Sequence, residues 1–401
     1  MIFSELQDDR AVLPLLLYIQ ERIGLWGDSP RVRYPVAFVA FWITVAVPKL
    51  SLHYTSLETF ICSMAELVYM CNVWCGAMLI WMEHECFQQY IDQVTSLTRY
   101  LYRPHQLESA KEHLQQLNRY IHRYTNRYCA FMLSLIIFYV VAPIITSFVT
   151  YLGHSNQHGN ETTPAWNESS AVFKFTLHME QAFYGLQHRT DVLQYALYLT
   201  FIVPIMFITA CTVHTKVITI ASSVRYGEAL LHVVMLKIDH LHRLPGESAR
   251  AELGDIVHVH QRALECIALL MNVLRSVLLL QLVFCIFIWC LMMLYFTITD
   301  GLSVTFINIA ILFLVITIET FSPCYFGTRL SSQATELSKS VYACGWPGMD
   351  GDIQHGLRMV LHRTQWAVGM QAGKFCFVDV ELFQKMVNMS YSFFIVLKDA
   401  F

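Results

Sequence analysis

The sequence predicts an all-α membrane protein of seven transmembrane helices, with a cytoplasmic N-terminus, an extracellular C-terminus and a cytoplasmic helical anchor. Three observations predict it. Of 401 residues, 55% are hydrophobic and only 14% charged, where a soluble domain carries about 25% charge. Four runs, Tyr128 to Leu152, Val192 to Val213, Ser276 to Thr299 and Leu302 to Ile318, contain no Asp, Glu, Lys or Arg, and each is long enough to cross hydrocarbon. Finally, segments 1–34, 84–128, 215–272 and 329–374 hold 21 of the 27 Lys and Arg, whereas the opposite side holds four: Lys49, Lys174, Arg189 and Lys398. Basic residues accumulate on the cytoplasmic side, so the N-terminus lies inside and, after seven crossings, Phe401 lies outside. That is the reverse of a G-protein-coupled receptor.

Residues 1–34 are the cytoplasmic N-terminus. Ala11 to Tyr18 is apolar, but Glu5, Asp8 and Asp9 precede it, whereas a signal peptide begins basic and ends in a small-residue cleavage site. Residues 11–26 therefore read as a short helix lying at the inner membrane surface, ending near Gly27 before Pro30 and Pro35. Residues 35–328 form a six-helix bundle. Its first two spans are the weakest: Pro35 to Tyr54 contains Pro48 and Lys49, and Thr59 to Met82 contains Glu66. Between the spans, Leu107, Leu114, Leu117 and Ile121, and likewise Ile220, Val224, Leu230, Val234, Ile238 and Leu241, recur at helical spacing among charges. The spans thus run on as helices below the membrane. Their apolar faces pack either within the subunit or against neighbours in a ring.

The 153–190 loop, extracellular by the charge count, carries two sequons, Asn160-Glu-Thr162 and Asn167-Glu-Ser169, so Asn160 and Asn167 are candidate glycosylation sites. A third match at Asn388 falls inside the last span and reads as chance. Glu319 lies roughly 25 Å down the sixth span by helix rise, where a solvated or ion-paired structural role is expected. Pro48, Pro143 and Pro204 interrupt spans, but no internal repeat marks a secondary transporter. The 12 cysteines and 17 histidines show no metal-ligand spacing, so no metal or cofactor is expected. No phosphate loop, nucleophile elbow or zincin string argues for an enzyme, and nothing points to nucleic acid.

The last apolar run, Met386 to Leu397, lies between Lys385 and Lys398. Its twelve residues rise only about 18 Å against about 30 Å of hydrocarbon. Such a run survives only where other helices or water solvate it, which makes it the candidate lining of a pore. Residues 329–380 are then the anchor segment, and 381–401 the pore-lining seventh helix with the extracellular terminus.

Near the end of the chain the residues Cys324-Tyr-Phe-Gly327, Ser338, Val341-Tyr342, Cys344 and Trp346, then Gln365-Trp366, Gly373-Lys-Phe375, Val380-Glu-Leu-Phe383 and Ser390-Tyr-Ser-Phe-Phe-Ile-Val-Leu397, resemble the C-terminal signature of insect odorant receptors. The motif match covers roughly the last 80 residues; over the rest the resemblance is architectural. It implies an odorant-gated, non-selective cation channel in the plasma membrane of olfactory sensory neurons. Such channels are heterotetramers of a variable odorant-binding subunit and a common co-receptor (Orco). The chain lacks the long cytoplasmic insertion between spans four and five that marks the co-receptor, and so resembles a variable subunit. By the same resemblance, residues 356–378 belong to the central anchor and 381–397 to the pore.

Within the pore helix, residues four apart share a face, aligning Met386, Ser390, Phe394 and Lys398 with Leu397 beside them. Phe394 and Leu397 are the expected contribution to an apolar gate that closes by dewetting; the alternative is that Phe393 and Phe394 pack against spans five and six. The family's ligand pocket maps, by direction of travel, onto Tyr69 and Val73 of span two, Ala142, Ile145, Thr146 and Val149 of span three, Tyr195, Tyr198 and Leu199 of span four, and Phe306 of span six. That set is aromatic and aliphatic with a few hydroxyls, suited to a small volatile held mainly by burial and dispersion.

Overall fold

The computed structural model describes residues 6, 8–27, 32–54, 56–158, 175, 177, 179, 183–187, 189–299, 301 and 304–400. Asn160 and Asn167 lie outside the described residues. Among the described residues six helical stretches are long and apolar enough to cross a membrane, and a C-terminal helix of 21 residues stands beside them.

The chain begins with α1, Pro14–Ile23. Pro14 suits its first turn, where a backbone N–H is not needed, and Gly24 closes it at φ 87, a left-handed cap only glycine adopts cheaply. Leu13, Leu15 and Leu16 are buried, and Gln20 donates from Nε2 to Thr219 Oγ1 at 2.8 Å. This helix is therefore docked on the protein and ends at Gly24, where the sequence predicted a membrane-surface helix reaching Gly27. Its apolar stripe covers protein because the neighbouring long helices offer an apolar groove.

The first spanning rod is continuous over Arg33–Leu50: α2, Arg33–Phe41, a π-helical turn, Trp42–Ala46, and α3, Val47–Leu50. The wide turn comes just before Pro48, which cannot continue an α-helical hydrogen-bond ladder. Lys49 is fully buried and meets Glu66 at 2.7 Å and Ser63 Oγ at 3.1 Å. The charge count had set Lys49 on the extracellular surface. Instead, the two charges that weakened the first two spans neutralise each other.

Next come α4, Leu57–Met82, capped by Ser56 Oγ accepting from Thr59 N, and α5, His84–Leu101. Four very long helices follow: α6, Glu108–His158; α7, Val192–Leu241; α8, Gly246–Ile298; and α9, Val304–Ala343. They run through Pro143, Pro204 and Pro323 without ending. Each spanning run thus continues as helix at the α5 end of the bundle, as the apolar spacing predicted. α9 also passes unbroken through the expected 328/329 boundary. At the α5 end Lys237 bridges Glu252 at 2.8 Å and Asp255 at 2.5 Å. Tyr100 donates to the same Asp255, and burial, then that carboxylate, push its hydroxyl up to about 12.

After a short 3₁₀ turn at Trp346–Gly348, α10, Gly351–Thr364, lays Ile353, Leu357 and Val360 into the core. A two-residue hairpin then pairs β1, Gln371–Ala372, with β2, Cys376–Phe377, in antiparallel register Gln371 to Phe377 and Ala372 to Cys376. Gly373 turns it at φ 60 and donates to Arg275 O at 2.8 Å. The chain ends in α11, Val380–Ala400.

Two apolar clusters result. The larger runs from α5 and α10 up through α8 and α9 to Met386 of α11. The smaller gathers α2, the middle and C-terminal half of α4, the first turns of α7, and Phe175, Met179 and Phe183 of the α6–α7 connection.

Candidate functional site

At the α6–α7 connection the structure packs aromatic rings on one another into a closed cluster, the aromatic chamber. Phe175 stacks on Tyr195 at 4.5 Å with planes 9° apart, and on Tyr151 at 5.9 Å. Phe183 meets Tyr198 edge-on at 5.4 Å. Tyr195 is 3.4 Å from Ser147 Oγ, and Phe175 N donates to Arg189 O at 2.8 Å. Deeper in the same cluster, Trp74 is stacked between Phe41 at 5.1 Å and Tyr34 at 5.6 Å and donates to Thr209 Oγ1 at 3.0 Å. Parted by a small aromatic guest, such rings would offer it edge-to-face and stacking contacts, with a few hydroxyls for orientation.

The expected ligand residues divide. Tyr195 and Tyr198 are fully buried in the chamber, with Leu199 packed at its edge. Val73 is buried on α4, but Tyr69 and Phe306 pack against the other cluster, Phe306 on Phe296 at 5.2 Å. On α6, Ala142 is half-buried, while Ile145, Thr146 and Val149 are exposed and face away. Ser147, buried, and Tyr151, stacked on Phe175, are α6 residues that point in. Counting residues along a span gives depth but not rotation, and one residue turns a helix face by about 100°. Phe175, Phe183, Ser147 and Trp74 were missed; the first two sit in an irregular segment with no periodicity to read.

Below the chamber lies a polar layer. Lys216 of α7 and Glu319 of α9 are buried and in ion-pair contact at 2.6 Å, though the angles fall short of a hydrogen bond. Tyr69 and Tyr128 interact electrostatically with Glu319, Gln281 donates to its backbone carbonyl at 3.0 Å, and Lys216 lies over Gly76. Helices α4, α6, α7, α8 and α9 meet here. Glu319 is thus ion-paired, one of the two structural roles the sequence allowed.

α11 sets the second candidate region. Its 21 residues rise about 31 Å, so the twelve-residue apolar run is the upper part of a helix long enough to cross. Phe383 is wedged between Trp289 at 5.6 Å and Phe321 at 5.2 Å. Met386 and Ser390 are buried, and Phe394 and Leu397 half-buried. The face proposed for the pore is therefore the face that packs on α8 and α9, while Lys398 is exposed. The structure favours the packing alternative for Phe394 and leaves Phe393 exposed. Burial wins because Met386 and Phe394 complete the apolar cluster, whereas the opposite face carries Gln384, Asn388 and Ser392, all exposed and four residues apart. Ser392 Oγ donates to Asn388 O at 3.0 Å.

Among the described residues no group of three or more His, Cys, Asp or Glu could hold a metal ion, and all twelve cysteines are free.

An all-α bundle of membrane-length helices, with an aromatic cluster at one end and an amphipathic C-terminal helix, defines a multi-pass membrane protein. A family model described as 7tm Odorant receptor matches residues 56–391, and the chain belongs to the insect odorant receptor family. It is 31% identical to Odorant receptor 2a of Drosophila melanogaster over 87 residues, 22% of each chain. With Odorant receptor Or2 of Anopheles gambiae it shares 22% over 148 residues, 37% of this chain and 39% of the other. An odorant receptor coreceptor of Ooceraea biroi is 27% identical over 79 residues, 20% of this chain and 16% of that one. These matches span less than half of the relatives' own length. The fold is shared end to end with the olfactory receptor OR5 of Machilis hrabei, at TM-score 0.71 and 13% identity over 96% of both chains. Its complex with eugenol gives TM-score 0.71 and 12% identity, covering 98% of this chain and all of the other.

Proposed function

We propose that this chain is the variable, ligand-binding subunit of an odorant-gated, non-selective cation channel. It lies in the plasma membrane of olfactory sensory neurons with its N-terminus cytoplasmic, glycosylated at Asn160 or Asn167. It opens a pore shared with co-receptor (Orco) subunits in a heterotetramer. One observation carries the reading: Gln384, Asn388 and Ser392 form a polar stripe on the free face of α11. Polar groups on a lipid-facing helix are costly, so such a stripe belongs against water or partner helices. This subunit's wall of the pore is then Gln384, Asn388 and Ser392, with Tyr391 and Ile395 beside them as the apolar constriction. That replaces the Met386, Ser390, Phe394, Leu397 and Lys398 face.

The ligand is a small volatile bound in the chamber by Tyr195, Tyr198, Phe175 and Phe183. Eugenol, held by the Machilis hrabei receptor, is an aromatic phenol, and that class suits these walls. Whole-cell recording of cells expressing the chain with and without the co-receptor tests the proposal. A volatile-evoked current within milliseconds that requires both subunits supports it. A surface-expressed pair that gives no current to a broad panel of volatiles, yet responds to a co-receptor agonist, refutes ligand gating through this chain.

A further inference from the structure

Helix α6 carries a repeat unused by the chamber or the pore: Arg119-Tyr120, Arg123-Tyr124 and Arg127-Tyr128, each pair four residues after the last. The tyrosines form a ladder, Tyr120 on Tyr124 at 6.4 Å and 11°, and Tyr124 on Tyr128 at 6.1 Å and 15°. The ladder is clamped at both ends. Tyr128 meets His214 edge-on at 5.6 Å, and the Arg225 guanidinium lies 5.6 Å over Tyr120. Arg119 is engaged by Asp9. Arg225 is paired with Glu228 at 2.6 Å, and Glu228 also takes Arg329 at 2.5 Å. Arg123 and Arg127 are exposed, and neither has an ion-pair or hydrogen-bond partner among the described residues.

The apolar run beyond them sets their depth. From Cys129 to Leu152 there is no charged residue, and 24 helical residues rise about 36 Å, slightly more than the hydrocarbon thickness. Arg127 and Tyr128 therefore sit at the inner edge of the hydrocarbon, and Arg123 and Tyr124 one turn further, among headgroups. In its most apolar window, beyond Arg127, only 6% of this helix is buried within the chain, and the arginines themselves are exposed on the turns that lead into it. Exposed arginines alternating with tyrosines at the cytoplasmic interface match an anionic headgroup in charge and position, because guanidinium binds phosphate bidentately.

We infer that Arg123 and Arg127, on the helix that carries Tyr120 and Tyr124, form a binding site for the phosphorylated headgroup of an anionic inner-leaflet phospholipid. The cytoplasmic placement rests on the orientation proposed above.

The test uses the full chain purified in detergent, with dioctanoyl phosphatidylinositol 4,5-bisphosphate as probe and dioctanoyl phosphatidylcholine as control, binding being read by thermophoresis. Expected are at least tenfold preference for the anionic lipid, about fivefold weakening in Arg123→Gln or Arg127→Gln, and about thirtyfold in the double variant. A variant with lysine at both positions should keep most of the affinity, and Arg358→Gln should change nothing. Wild-type affinity in the double glutamine variant overturns the site. Equal affinity for free inositol 1,4,5-trisphosphate overturns the lipid assignment, and loss of binding only alongside loss of the oligomer on size exclusion makes the face a subunit contact instead. Antibody staining of an N-terminal epitope without permeabilisation would overturn the orientation and leave binding in the micelle untouched.

Discussion

Gly327 is where one methyl group should do the most damage. It lies on α9, and the backbone carbonyl of Val378, just after the hairpin, rests against its Cα. A Cβ built there would stand 3.1 Å from the Val378 carbonyl carbon and 3.5 Å from Met370 Cβ, and far inside the van der Waals radius of the Val378 oxygen. The obstacle is backbone, so no rotamer relieves it. The hairpin must lift off α9, straining Val378 N to Met370 O at 2.8 Å and Val380 N to Thr328 Oγ1 at 3.0 Å, the bonds that seat the start of α11. Overpacking costs about 1–3 kcal/mol, and a backbone obstacle belongs at the upper end. About 3 kcal/mol is roughly a hundredfold in the equilibrium between seated and lifted hairpin. Gly327→Ala should therefore lower the melting temperature in detergent and reduce ligand-evoked current per surface receptor. Gly254→Ala, an α8 position with nothing within 4 Å of the added atom, should be neutral or stabilising by up to about 1 kcal/mol. Equal melting temperatures and currents in wild type and Gly327→Ala would show that the hairpin is not seated on α9.

Four further outcomes are expected. Lys216→Met leaves Glu319 buried and uncompensated and should cost about 3–5 kcal/mol, while Lys216→Met with Glu319→Leu should recover most of it; thermal melts showing the double variant as poor as the single would sink the pairing. Cysteines at Asn388 and Ser392 should react with a positively charged methanethiosulfonate and lose most of the evoked current, whereas Met386→Cys and Ser390→Cys should not; the reverse pattern would restore the sequence-derived pore face. Tyr198→Ala should shift ligand potency by up to about tenfold through its lost edge contact with Phe183, with co-receptor-agonist currents intact, and Ile145→Ala should leave potency unchanged; dose–response curves decide it. On the N-terminal half of α8, burial, and then the nearby Arg363, hold His260 down to about 4 from 6.5. The unfolded chain takes up this proton first as pH falls, so stability is full above pH 6.5 and drops by about 1.4 kcal/mol per unit toward pH 4; His260→Gln should flatten that slope in pH-dependent melts, and an unchanged slope would assign it to other groups.

The sequence disclosed whatever depends on composition and period. The long apolar runs became α6, α7, α8 and α9, and the apolar spacing through Ile220 to Leu241 correctly extended α7 beyond the membrane. The C-terminal motif carried the family, and the clash at Gly327 supplies a physical reason for one of its residues. Rotation and pairing were hidden. Lys49 and Glu66 are 17 residues apart on different helices, and Lys216 and Glu319 are 103 apart; no local spacing announces either pair. On α11 a polar stripe and a buried stripe both recur every four residues. Gln384, Asn388 and Ser392 were legible as a set, but weighing apolar residues as the gate drew the reading to Met386 and Phe394, which the core needs.

With the ligand at Tyr195 and Tyr198 and the pore along α11, as proposed, the route between them would depend on how α9 is held. Its outer turns bear Phe306, its middle carries Glu319 locked to Lys216 of α7, and Phe321 and Gly327 then grip α11 and the hairpin. Tyr195 and Tyr198 of the chamber stand on α7 as well, so a guest that displaces them displaces the helix that holds Lys216. Because the ion pair is buried, its two ends cannot part without leaving an uncompensated charge inside the protein. A shift of α7 is thus passed to α9 instead of being absorbed between them. From α9 it reaches α11 through Phe383, wedged between Trp289 and Phe321. A stiff link of this kind requires that Lys216→Met with Glu319→Leu, even when as stable as wild type, respond to ligand with a smaller maximal current at unchanged co-receptor-agonist current. Full ligand efficacy in that double variant would place the coupling elsewhere in the bundle.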